Sequence, residues 1–160
     1  MLEYTFDEDK LLVSKTDKSG IIKYASEDFC SIAQFSEQEL LGKPHNILRH
    51  PDMPRTIFNH LWKTLKERQE VNAYVINKTK DGGFYWVYAN VTPSVDSSNN
   101  IVGYHSSRRK PSKDALNVIE PMYKELRQIE QVKGIESASQ YLNNYLYKKG
   151  LTYEEFIISI

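Results

Sequence analysis

The stretch NILRHPDMPRTIFNHLW, residues 46–62, sets Arg49, His50 and Asp52 just ahead of an apolar-periodic run. Ile57, Phe58, Leu61, Trp62 and then Leu65 recur at helical spacing and define one apolar face. Pro54 falls in the first turn, where a missing N–H costs nothing. Asp52 or a neighbour is expected to cap this main helix. Two cationic-type side chains and a carboxylate therefore crowd the entrance of a helix that must be packed on something.

What it packs on is legible on either side. Upstream, Leu12 to Thr16 is β-prone, Asp17-Lys18-Ser19-Gly20 is turn chemistry, and Ile21 to Tyr24 resumes a strand. Ser26 is placed to cap a short helix from Glu27 to Ile32, and Ser36-Glu37-Gln38-Glu39 is a capping box. Downstream, Val71 to Lys78 and Phe84 to Thr92 are strands joined by Lys80-Asp81-Gly82-Gly83, a hairpin signal. Tyr85, Val87, Ala89 and Val91 share one face of the second arm; Trp86, Tyr88, Asn90 and Thr92 share the other. Both faces are largely apolar or aromatic, so both need a cover. A polar loop from Pro93 to Asn100 leads to a last strand, Ile101 to Arg109. The expected fold class is α+β: a five-stranded antiparallel sheet over residues 10–110, with helices inserted between strands 2 and 3.

Lys110-Pro111-Ser112 marks a boundary, and residues 111–160 read as an amphipathic helical extension. Leu116, Ile119, Met122, Leu126 and Ile129 keep helical spacing up to Gly134. Pro121 is expected either to break this run or to open a second helix. Ser137 to Lys149 is a further helix closed by Gly150. Thr152-Tyr153-Glu154-Glu155 is another capping box, opening a short helix with Phe156, Ile157 and Ile160. The extension must bury its stripe against the domain, itself or a partner.

The bulk properties narrow the function. The chain has 160 residues and 40% hydrophobic content, enough for one core and a modest extension. Lys+Arg and Asp+Glu balance at 21 each, which gives no electrostatic case for nucleic acid or an anionic membrane. No apolar run approaches the ~20 residues of a membrane span, and direct insertion is not expected. The acidic start MLEYTFDEDK is not a signal peptide. A single cysteine, Cys30, excludes an internal disulfide, suits a reducing cytoplasm, and reads as a small buried apolar residue. His45 and His50 share a loop while His60 lies on the helix, with no second ligand pattern for a metal. No acid, base and nucleophile set is visible, so an enzyme is not expected.

Two readings stay open for the helix entrance. In one, Asp52 caps and Arg49 pairs with a carboxylate. In the other, Arg49, His50 and the helix N-terminus hold a phosphate, while Phe58 and Trp62 accept a flat heterocycle. Those two rings fit plain core packing equally. Asn77 shares a face with Val75, and its amide suits either a ring edge or the local backbone.

The run Gly42-Lys43-Pro44-His45-Asn46-Ile47-Leu48-Arg49-His50-Pro51-Asp52-Met53-Pro54 resembles the Aer-type PAS domain of bacterial aerotaxis and energy-taxis sensors. So do Lys80-Asp81-Gly82 with Tyr85-Trp86-Val87, and Gly103-Tyr104 with Ser107-Arg108-Arg109. The likeness continues into Ile119-Glu120-Pro121-Met122-Tyr123-Lys124 and covers residues 10 to 127. The resemblance implies a PAS fold that binds FAD non-covalently and reports redox state. Arg49, His50 and Asp52 match its flavin-binding motif; Phe58, Trp62 and Asn77 match further pocket positions. Where family members often carry Trp, this chain has Val71, which implies a differently tuned pocket. The light-sensing relatives' cysteine before the long helix is missing, so no photoadduct is expected. The implied partner is a membrane chemoreceptor with a HAMP-type signalling region, or a histidine kinase, with a homodimer also open. The expected form is a stand-alone cytoplasmic sensor. Haem with a histidine axial ligand, or a cofactor-free interaction module, are the alternatives.

Overall fold

The alternating hairpin arms seed the sheet. In the computed structural model, which describes residues 2–160, five strands form: β1 Leu12–Asp17, β2 Ile22–Ala25, β3 Val71–Lys78, β4 Phe84–Val95 and β5 Ile101–Arg109. All neighbours are antiparallel, in the order β2-β1-β5-β4-β3. The last strand is thus the central one, and Arg108 lies between Leu12 of β1 and Ala89 of β4. Asp81-Gly82 makes the β3–β4 turn with Gly82 at φ +89°, a conformation that favours glycine. Gly103 is needed for a different reason: a Cβ there would stand 2.3 Å from the Thr16 carbonyl oxygen.

The helices between β2 and β3 are α1 Glu27–Ala33, α2 Glu37–Leu40, a 3-10 turn His45–Leu48, and α3 Arg55–Lys66. Ser26 caps α1, and Ser36 with Glu39 closes a capping box on α2, as the sequence expects. Cys30 is only partly buried against the core; burial and the Glu37 charge raise its thiol pKa. Asp52 does not cap α3. The helix starts after Pro54, which has no side-chain oxygen to offer. A carboxylate from far along the chain does the work instead. Glu130 accepts from the N–H of Arg55 at 3.2 Å, and from the N–H and hydroxyl of Thr56 at 2.8 and 2.6 Å. Asp52 turns outward to pair with Arg127 at 3.1 Å.

Glu130 and Arg127 belong to α4, Lys113–Lys133, which is followed by α5 Ile135–Lys149 and α6 Tyr153–Ser159. Helix α4 runs through Pro121 without a break. Pro121 and Asn117, one turn earlier, are both exposed, so the carbonyl freed by the missing N–H is solvated. The stripe Ala115, Ile119, Met122, Tyr123 and Leu126 is buried, and α4 packs on α5 and α3 and reaches the outer sheet face. There Tyr123 packs on Trp86 at 5.8 Å between ring centres and donates its hydroxyl to the Tyr74 carbonyl at 2.5 Å. Helix α6 reaches β3, and Tyr153 meets the His60 ring of α3 at 4.2 Å. The extension therefore packs on the outer sheet face and α3, within the same core cluster as the sheet. No helix among the described residues is long and apolar enough to cross a membrane.

Candidate functional site

The inner sheet face is not filled in the same way. Between it and α3 lies a cavity of about 150 Å³, where one water needs only about 10–15 Å³. Val75, Asn77, Ala89 and Val91 line it from the hairpin, Tyr104, Ser106 and Arg108 from β5, and Ser14 and Thr16 from β1. Phe58, Leu61, Trp62 and Leu65 come from α3, one turn apart. Trp62 is 40% exposed, so the cavity meets the surface at its ring. Val71 is buried on the same strand face as Val75 but lies off the cavity wall.

The helix-entrance motif enters the site through the backbone. After the 3-10 turn, Arg49 and Asn77 form an isolated antiparallel bridge, and the His50 N–H meets the Ile76 carbonyl. This clamps Arg49 beside the end of β3, where both side chains line the cavity. Arg49 has no carboxylate at ion-pair distance among the described residues, contrary to one of the readings above. Its guanidinium lies 3.9 Å from the centre of the Phe58 ring. Partial burial lowers its pKa, with Arg55 adding repulsion.

His50 and Asp52 stand outside the wall. His50 is buried, and its Nδ1 accepts from the Asp52 N–H at 3.0 Å, which fixes the turn between the prolines. Burial lowers its pKa more than Asp52 raises it, so it is held towards the neutral form. Of the six residues singled out from sequence, Arg49, Phe58, Trp62 and Asn77 are brought together on the cavity. His50 and Asp52 shape the loop that delivers one of them.

Sequence reasoning missed the other half of the site. Arg108 is 4% exposed. Its Nη2 donates to Ser14 Oγ at 2.9 Å and to His45 Nε2 at 2.8 Å, and its plane lies over the Phe29 ring at 4.6 Å. An arginine only donates, so Nε2 of His45 is the acceptor nitrogen and the ring is neutral. Burial first, and then the Arg108 charge, push the His45 pKa down to about 3. His45 is half-buried as a residue, but its Nε2 end points inward at Arg108. Three buried polar atoms of this region have no hydrogen-bond partner: Asn77 Nδ2, Arg108 Nη1 and the Tyr85 hydroxyl. Strand parity was the available signal, since Tyr104, Ser106 and Arg108 alternate on one face.

A model for the PAS fold matches residues 22–108, more than half of the chain. This chain belongs to the PAS-fold family. Over 119 residues it is 40% identical to the "Aerotaxis receptor" of Escherichia coli (strain K12), covering 74% of this chain and 23% of the receptor. Over 97 residues it is 32% identical to the "Nitrogen fixation regulatory protein" of Klebsiella pneumoniae, covering 61% of this chain and 20% of that protein. The chain thus spans about a fifth to a quarter of the length of these two relatives. The dark structure of the blue-light photoreceptor Aureochrome1 LOV superposes with a TM-score of 0.61 at 24% identity, covering 69% of this chain and 82% of that one. That likeness shows the fold. The PAS domain is similar to that of the aerotaxis receptor.

Proposed function

We propose that the chain is a redox sensor of the energy-taxis kind that binds FAD in the cavity beneath α3. The observation that carries this is the make-up of the wall. It combines aromatic and aliphatic surface with two arginines and two asparagines, Asn46 and Asn77, and no Asp or Glu lines it. Flat rings with acceptor edges and a diphosphate suit such a surface, and because a cavity of about 150 Å³ encloses only part of FAD, the rest would lie at its open side by Trp62. The unpartnered Asn77 Nδ2 and Arg108 Nη1 fit a ligand that supplies acceptors. Phe58 and Trp62 supply ring contacts, and Arg49 supplies a cation near the α3 entrance. The α3 N–H groups themselves are largely committed to Glu130, so Arg49 carries the anion contact in this reading.

When bound, FAD supplies a redox-dependent change in charge and protonation inside the cavity. The chain's own part is to read that change. Asn77 and Arg108 exchange hydrogen bonds on the inner face. On the outer face of the same strands, Trp86 touches Tyr123, and Tyr74 stacks on Tyr88 at 4.7 Å between ring centres. Helix α4 is the output element, cytoplasmic, acting on a membrane chemoreceptor with a HAMP-type signalling region or on a histidine kinase. The haem alternative has one histidine on the wall, His45, and its Nε2 already accepts from Arg108.

The test is the visible spectrum of freshly purified protein, followed by heat release and chromatography of any chromophore. A two-banded yellow spectrum releasing FAD is expected, with the chromophore lost in Arg49→Ala. A sharp Soret band would move the assignment to haem. Colourless protein that takes up neither added FAD nor haemin would leave a bare interaction module.

A further inference from the structure

A guanidinium is rarely buried without a carboxylate, because removing its hydration costs several kcal/mol unless a partner makes up for it. Arg108 is such a case. Its neighbours from β1 and the 3-10 turn are Ser14 and His45, both neutral, and Phe29 of α1 lies under its plane. Tyr85 of β4 is the remaining titratable group near it, and burial raises that phenol to about 12, so it too is neutral. Arg49 and Tyr104 share the cavity wall, and neither is an acid. Arg108 therefore brings an uncompensated positive charge to the cavity. Its spare atom, Nη1, is a donor, and so is the spare atom of Asn77 on the same wall. Two donors cannot satisfy each other, and the Tyr85 hydroxyl, cross-strand from Asn77, can accept from Asn77 and still leave Arg108 Nη1 unmet. The partner of Arg108 Nη1 has to be an acceptor, and the charge favours one that is negative.

We infer that Arg108 is the charge-selecting residue of the site: it takes the acceptor edge of a planar heterocycle beside Asn77, and holds the anionic form of that edge more tightly than the neutral form. This rests on the flavin reading above. FAD takes up two electrons with one proton to give a monoanionic reduced form, or two electrons with two protons to give a neutral one. A low-potential donor, dithionite in the test, supplies the electrons, and solvent supplies the protons. Arg108 favours the first product. Burial lowers the Arg108 pKa only to about 10, so it stays charged throughout the range in which the two products interconvert. Buried water could also satisfy both donors. Such a water would be indifferent to the charge of the ring, and that difference is measurable.

The experiment uses the whole chain loaded with FAD and reduced anaerobically with dithionite. Absorbance of the reduced protein is followed from pH 8 to pH 5, beside free reduced FAD in the same buffers. The anionic spectrum is expected to persist at least about one pH unit below that of free reduced FAD, a tenfold preference. Arg108→Met should abolish the displacement and lower the two-electron potential by about 30 mV for each tenfold lost. Arg108→Lys, which keeps the charge, should retain most of both. The inference is overturned if reduced FAD in the unaltered chain gains its second proton at the same pH as free FAD, a result that needs no variant to fold. It is also overturned if a folded Arg108→Met keeps the full displacement. A chain that takes up no FAD fails earlier and differently: it is colourless before any reduction, and the flavin reading falls with it.

Discussion

The two faces of the sheet are both rich in aromatic residues, yet they are finished differently. On the outer face, Trp86 meets the ring of Tyr123 of α4, Tyr88 stacks on Tyr74, and the hydroxyl of Tyr123 ends on the Tyr74 carbonyl. The outer side leaves one buried hydroxyl unmet, that of Tyr153 on α6, whereas on the inner face Asn77 and Arg108 keep buried donors with no partner around a cavity. An outer face closed by its own chain is a stability device. In the proposed reading, an inner face that leaves polar groups unmet gives up stability for a ligand. Substitutions outside should unfold the protein or free its extension, and substitutions inside should change binding while the fold stands.

The largest effect should come from Trp86→Ala, which removes a buried ring under α4 and should cost about 3–5 kcal/mol in urea denaturation. Loss of less than 1 kcal/mol would mean that α4 does not rely on that face. The inner face should behave in the opposite way. Asn77→Leu removes an unmet buried donor, so stability without ligand should hold steady or rise by about 1 kcal/mol, while FAD uptake falls at least tenfold. A large loss of stability would show Asn77 to be structural and would erase the contrast.

A pH titration separates the faces again. The His45 pKa is lowered in the folded chain to about 3, against about 6.5 unfolded, so unfolding binds a proton below pH 6.5. The stability that neutral His45 permits is whole above about pH 6.5 and is lost as the pH falls towards 3. Between pH 7 and pH 5 the urea midpoint should drop by the equivalent of about 2 kcal/mol. His45→Gln, which keeps an acceptor for Arg108, should flatten most of that slope. His50, with its pKa lowered in the same direction, accounts for a remainder.

What the sequence revealed and what it hid divide along contact range. The boundaries of β3 and β5, the capping boxes at Ser36 and Thr152, and the helix ends at Gly134 and Gly150 were all readable. Each depends on residues a few positions apart. Arg49, Phe58, Trp62 and Asn77, which line one cavity, are marked in the sequence by a local motif and a strand parity. Arg108 was passed over because its partners, Ser14 and His45, are 94 and 63 residues away and reach it only once β5 lies beside β1. Glu130 was missed for the same reason, since it caps a helix that begins 75 residues earlier. Pro121 misled in the other direction: its local rule holds, but an exposed position removes most of the penalty.

Helix α3 offers the finest test of that division. Local reading gives its cap to Asp52; the fold gives it to Glu130. A cap is worth about 0.5–2 kcal/mol, and an exposed ion pair about 0–1 kcal/mol. Glu130→Ala should therefore cost about 1–2 kcal/mol, and amide exchange should quicken at Arg55 and Thr56 in that variant alone. Asp52→Ala loses the pairing with Arg127 and no helix N–H contact. It should cost under about 1 kcal/mol, with the exchange at Arg55 and Thr56 unchanged. The reverse pattern would return the cap to Asp52 and leave α4 without its hold on the loop that carries Arg49. The expected pattern makes Glu130 the contact through which the position of the extension and the entrance of the cavity depend on each other.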